Sequence, residues 1–73
     1  MVDFDMKKVG LRIKQLRTSG GLSQSELAQR IGVAQNTLAQ YEAGTSKASI
    51  EVIFKLAVEL DESADYLLGL SDK

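Results

Sequence analysis

Asn36 and Gln40 stand four residues apart, with Gln35 just ahead of them, in the segment Gln35-Asn36-Thr37-Leu38-Ala39-Gln40-Tyr41-Glu42. An amide side chain carries a donor and an acceptor side by side. That combination matches N6 and N7 of adenine in one bidentate contact. In a helix, at about 100° per residue, Leu38 and Tyr41 share one side and Asn36 and Gln40 face nearly the other way. Ala39 sits beside the amides and is small enough to meet a thymine methyl, while Gln35 projects from the helix tip. A merely solvated face would more often use Lys and Glu. Base-edge recognition therefore competes with a bland polar surface, and the surrounding pattern has to choose between them.

Other chemistries lack their residues. The chain of 73 residues has no Cys and no His, which removes disulfides, thiolate nucleophiles, the usual zinc ligands and the commonest general base. There is no Gly-rich phosphate loop, so an enzyme is not expected, nor a metal, a cofactor or a small-molecule ligand. No apolar stretch approaches a membrane span, and the acidic, mixed start does not resemble a signal peptide. A chain without cysteine suits a reducing cytosol. The net charge of −1 conceals a polarity. Residues 1–48 hold seven cations against four anions, and residues 49–73 hold two against six. The first two thirds could face phosphate, although a chance split of surface charge would look the same.

The elements that must position the amides read as helices throughout, an all-α chain of one domain over 1–73. Met6, Val9, Ile13 and Leu16 form one stripe of a first helix over about 5–19, stopped by Gly20 and Gly21. Ser23 and Glu26 form a capping box that opens a second helix, whose inner face is Leu27, Ala28 and Ile31. Gly32 supplies the turn, Ala28 a small residue where two helices cross, and a third helix covers about 35–42, ended by Gly44. A fourth helix starts after Ser49, with Ile50, Ile53, Phe54, Ala57 and Leu60 as its expected buried side. A short fifth helix over 64–68 follows Ser63.

The run from Leu22 to Val33 (LSQSELAQRIGV) and that from Asn36 to Gly44 (NTLAQYEAG) resemble the Cro/C1-type (XRE-like) helix-turn-helix of phage and bacterial repressors. The likeness extends through Leu56-Ala57-Val58-Glu59-Leu60 and Asp65-Tyr66-Leu67-Leu68-Gly69. It implies a five-helix, lambda-repressor-like DNA-binding domain with its helix-turn-helix at about 24–43 and the third helix in the major groove. By that resemblance Gln35, Asn36, Thr37 and Gln40 read bases. Ser23, Gln24, Ala43, Gly44, Thr45 and Lys47 contact phosphate, helped by the dipole of the second helix. Arg17 and Glu42 occupy positions that pair in the interior in some members. If this pair is buried, breaking it costs about 3 kcal/mol; as two solvated charges it matters far less.

The pattern also departs from the family. Ala34 stands where Ser or Thr often caps the third helix, a loss of roughly 0.5–2 kcal/mol. Thr45, Ala48 and Gln40 replace a frequent cation, proline and arginine. Modest affinity per monomer follows, with greater reliance on dimerisation. The implied partner is double-stranded DNA with a two-fold-symmetric operator, bound by a homodimer joined through Ala64, Tyr66, Leu67 and Leu70. Of Leu67 and Leu68, one closes the core and the other faces outward. The role the resemblance implies is transcriptional regulation, as a repressor, in the cytoplasm of a bacterial or phage-infected cell, at the nucleoid. The alternative is a protein-interaction module such as an antitoxin or antirepressor. With little chain after the fifth helix, either a stand-alone regulator or the N-terminal domain of a longer repressor fits.

Overall fold

The computed structural model describes residues 3–70. Met1, Val2 and residues 71–73 lie outside them, and with them the expectations about the two chain ends. Five helices account for the described chain, with no strand among its residues: α1 (Met6–Ser19), α2 (Gln24–Ile31), α3 (Gln35–Ala43), α4 (Ile50–Glu59) and α5 (Ala64–Leu68). None is long and apolar enough to cross a membrane.

Local chemistry sets most of the boundaries. The Asp5 carboxylate accepts from the amides of Lys7 and Lys8, and the Ser49 and Ser63 hydroxyls accept from Val52 and Tyr66. At α2 the capping box is complete: Ser23 Oγ accepts from the Glu26 amide, and Glu26 Oε1 accepts from the Ser23 amide. These bonds hold the Glu26 carboxyl below the ordinary range. The bond to the Glu26 carboxylate therefore persists at neutral pH and weakens as acidification carries the carboxyl through that lowered value, while the bond to the Ser23 hydroxyl does not titrate. Gly32 ends α2 at φ 75°, a left-handed conformation that a side chain would strain.

α3 is the exception, because Ala34 offers no side-chain cap. Its backbone (φ −68°, ψ 149°) matches that of the capping Ser23, so a hydroxyl fits there without rearrangement. Ala34→Ser is expected to raise stability by about 0.5–2 kcal/mol, read as a higher urea midpoint at unchanged slope. An unchanged midpoint would mean that packing already holds the first turn of α3.

Val9, Ile13, Leu27, Ile31, Leu38, Leu56 and Leu67 are fully enclosed and form one core. α1 lies along α3, α2 packs on α3 and α4, and α5 closes against α1 and α4. Arg12 fastens α1 to α5: its guanidinium donates to the Tyr66 carbonyl and lies 4.7 Å from the centre of the Tyr66 ring. The Arg30–Glu59 pair between α2 and α4 is long, at 3.8 Å, and half exposed, so it adds little.

Two sequence expectations need correction. The buried side of α4 is Ile53 and Leu56, with Val52, Ala57 and Leu60 partly covered; Ile50 and Phe54 are 90% and 68% exposed. Glu51, Lys55 and Glu59 form one charged stripe, and the side opposite it runs through Ile50, Ile53, Phe54 and Ala57; packing against α2 and α5 turns the buried side from there toward Val52 and Leu56. At α5, Leu67 is fully buried and Leu68 partly so. Leu67 therefore belongs to the core and is withdrawn from the expected dimer surface.

Candidate nucleic-acid interface

Burial of Leu38 and Tyr41 turns the opposite side of α3 to solvent. Gln35, Asn36 and Gln40 are exposed there, with Thr37 and Ala39 half-buried beside them. None of these side chains has a hydrogen-bond partner among the described residues. The surface they form carries no charge, because the one ionisable carboxylate of α3, Glu42, points inward. A polar, uncharged, unengaged helix face suits recognition of neutral donors and acceptors on base edges.

Glu42 organises the ground beneath that face. Its Oε2 accepts from Arg17 Nε at 2.6 Å, and its Oε1 accepts from Arg17 Nη2 and from Gln24 Nε2, each at 3.0 Å. Arg17 also donates from Nη1 to the Leu22 carbonyl. The bidentate geometry with its added bonds is what a buried ion pair needs to be viable. The hydrogen bond to Glu42 raises the Arg17 pKa further, against the opposing effect of burial. One carboxylate thus joins α1, α2 and α3. It also holds the amide nitrogen of Gln24 at the N-terminus of α2, leaving the second N–H of that nitrogen to point elsewhere.

The implied phosphate contacts fall into two groups. Ser23 and Gln24 sit at the start of α2, where the Ser23 amide and hydroxyl oxygen are committed to the capping box and Glu26 adds a negative charge. That charge opposes an approaching phosphate and leaves Gln24 as the better-placed donor. Ala43, Gly44, Thr45 and Lys47 lie in the segment after α3, with Ala43, Thr45 and Lys47 exposed and Gly44 half-buried. Thr45 Oγ1 donates back to the Gln40 carbonyl.

Sequence reasoning missed Lys7. A Cβ on Gly44 would stand 2.7 Å from Lys7 Cα and Cγ, so the first turn of α1 abuts this segment, with Lys7 and Lys8 exposed. Lys47 stands nearby on the same end of the molecule, 6.0 Å from the ring centre of Phe4. α1 therefore brings cations to the place where Thr45 lacks one. Nothing in local spacing could reveal this, because the contact joins distant parts of the chain.

Of the residues named for a dimer surface, Ala64 and Tyr66 are half-buried and Leu70 is exposed. The Tyr66 ring is already occupied by Arg12. Asp3, Phe4, Leu68 and Leu70 line a shallow recess of about 170 Å³.

Two short helices joined at a left-handed glycine, the second presenting a free polar face, define a helix-turn-helix protein. The family model described as Helix-turn-helix matches residues 13–67, and the chain belongs to this family, of the Cro/C1 type. It is 39% identical over 61 residues to the uncharacterized HTH-type transcriptional regulator YobD of Bacillus subtilis (strain 168), covering 84% of this chain and 54% of YobD. The restriction-modification controller protein C.AhdI from Aeromonas hydrophila superposes with a TM-score of 0.81 at 38% identity, covering 86% of this chain and 96% of that one. SinR, the master regulator for biofilm formation, solved in complex with DNA, superposes with a TM-score of 0.77 at 41% identity, covering 82% of this chain and 97% of that one. The chain spans about half the length of curated relatives such as YobD.

Proposed function

We propose that this protein binds duplex DNA sequence-specifically, with α3 in the major groove, and represses transcription as a homodimer on a two-fold-symmetric operator. The observation that carries this is the outer face of α3. Gln35, Asn36 and Gln40 are exposed and uncharged there, and no hydrogen bond among the described residues engages their side chains. The DNA complex of SinR and the regulatory names of the relatives support the same reading. In it Gln35, Asn36, Thr37 and Gln40 contact bases. Gln24, Ser23 and the segment 43–47 contact phosphate, joined by Lys7. Residues 1–73 act as one DNA-binding domain, at the nucleoid in the cytoplasm.

A binding-site selection from genomic fragments at two salt concentrations tests this. Wild type should enrich a two-fold-symmetric sequence with half-sites about 34 Å apart, and the triple variant Gln35→Ala/Asn36→Ala/Gln40→Ala should lose it. Asn36→Ala or Gln40→Ala alone should relax preference at one position, at a cost of about 1–3 kcal/mol there. Lys7→Ala and Lys47→Ala should weaken every sequence alike, each lowering the log–log salt slope by about one. A sequence-dependent loss in either lysine variant would contradict the phosphate role. No enrichment at low salt would remove the DNA reading and favour a protein-binding module.

A further inference from the structure

α4 leaves Ile50, Phe54 and Val58 in solvent, exposed to 90%, 68% and 61%. They are spaced by four and form one continuous ridge along the whole helix. The remaining large exposed hydrophobics among the described residues, Phe4, Leu11 and Leu70, lie outside α4. Nothing local asks for an apolar residue at any of the three positions, since the core is filled from the Ile53–Leu56 side. Glu51 and Lys55 flank the ridge on its outer edge and pair with each other at 3.4 Å.

We infer that this ridge is the homodimer interface, with two α4 helices packed antiparallel about a two-fold axis at Phe54. The inference rests on the dimeric reading above and names the surface that serves it. The ridge is its own complement under that axis. Phe54 meets Phe54 of the second copy, and Ile50 meets Val58, as an isologous interface requires. Charge selects the orientation. In an antiparallel pair the acidic C-terminal end of each α4 lies beside the N-terminal end of the other, where the helix dipole favours negative charge. A parallel pair would lose that pairing. It would also bring together the acidic ends of both helices, Glu59, Asp61 and Glu62, which the antiparallel pair holds at opposite ends. A second copy is thus the occupant that both the apolar spacing and the charges fit. A ten-residue helix offers less than the roughly 800 Å² per partner of stable complexes, so the free dimer is weak and DNA consolidates it.

Sedimentation equilibrium of the 73-residue chain, without DNA, reads the association directly. Phe54→Glu is expected to weaken dimerisation about tenfold or more, with unchanged far-UV circular dichroism. Leu70→Glu, on the surface expected from α5, should leave it unchanged. In parallel, binding to a duplex carrying one half-site should be the same for wild type and Phe54→Glu, whereas cooperative filling of two half-sites should be lost in the variant. Unaltered association of Phe54→Glu, loss of association in Leu70→Glu, or a wild type that fills two half-sites independently would each overturn the assignment. A Phe54-dependent dimer that binds no half-site would instead refute the DNA reading and leave this surface standing.

Discussion

Gly10→Ala is expected to destabilise the protein by roughly 3 kcal/mol or more, the upper range for overpacking, and so to lower its melting temperature by about 12–24 °C. In an exposed helix the same change would gain about 0.5–1 kcal/mol. Here the sign reverses because α1 lies directly on the backbone of α3. A Cβ at Gly10 would press into the carbonyl oxygens of Tyr41 and Glu42, the second at 2.5 Å. These atoms are backbone in the last turn of a helix and cannot rotate away, so α1 must lift from α3. Lifting it would also pull Arg17 from Glu42 and Lys7 from Gly44. Gly20→Ala is the control: its φ is −83° and an added Cβ meets nothing closer than 3.5 Å. Thermal unfolding by circular dichroism reads both. A Gly10→Ala protein melting with wild type would rule out the close approach.

Glu42→Gln should cost about 3–5 kcal/mol, since it leaves the Arg17 guanidinium buried beside a neutral amide. The pair's side chains are only 9% and 3% exposed, so solvent cannot take over the lost role. Replacing both partners by apolar residues, as in Arg17→Met/Glu42→Leu, should recover much of the loss, because the desolvation of both charges disappears with them. Urea unfolding of Arg17→Met, Glu42→Leu and the double completes the cycle. Additive losses would show that the charges act independently. The recovered double variant separates stability from recognition, because it still lacks the Glu42 acceptor for Gln24. It should fold yet bind all DNA sequences more weakly than wild type, which would trace the effect to the positioning of Gln24.

Helix boundaries were readable because they are short-range. A Ser three residues before a Glu, a Ser ahead of an apolar run, and a glycine beyond a last turn each solve the problem of unpaired backbone groups within a few residues. The outer face of α3 was readable for a related reason. Leu38 and Tyr41 are its large apolar residues, so burying them leaves one orientation for Asn36 and Gln40. The resemblance carried the likeness across the rest of the chain and pointed to Arg17 and Glu42, which no local pattern connects.

α4 marks where that reasoning stopped. Ile50, Phe54 and Val58 are as apolar as Ile53 and Leu56, and hydrophobicity alone ranks neither set as inner. Leu67 and Leu68 pose the same ambiguity in α5. In both cases the neighbouring helices choose, by offering a space that one set fills. Gly10 had a faint signal, since a glycine inside a helical pattern often has a packing reason. Its partners at Tyr41 and Glu42, like the approach of Lys7 to Gly44, depend on how α1 docks. The amino-acid order thus dictates helices, caps, turns and the polar face of α3, because those follow from interactions within a turn or two. Which part of the wide apolar arc of α4 is buried, which glycine admits a neighbour, and which lysine stands beside the segment after α3 follow from packing between helices distant in the chain.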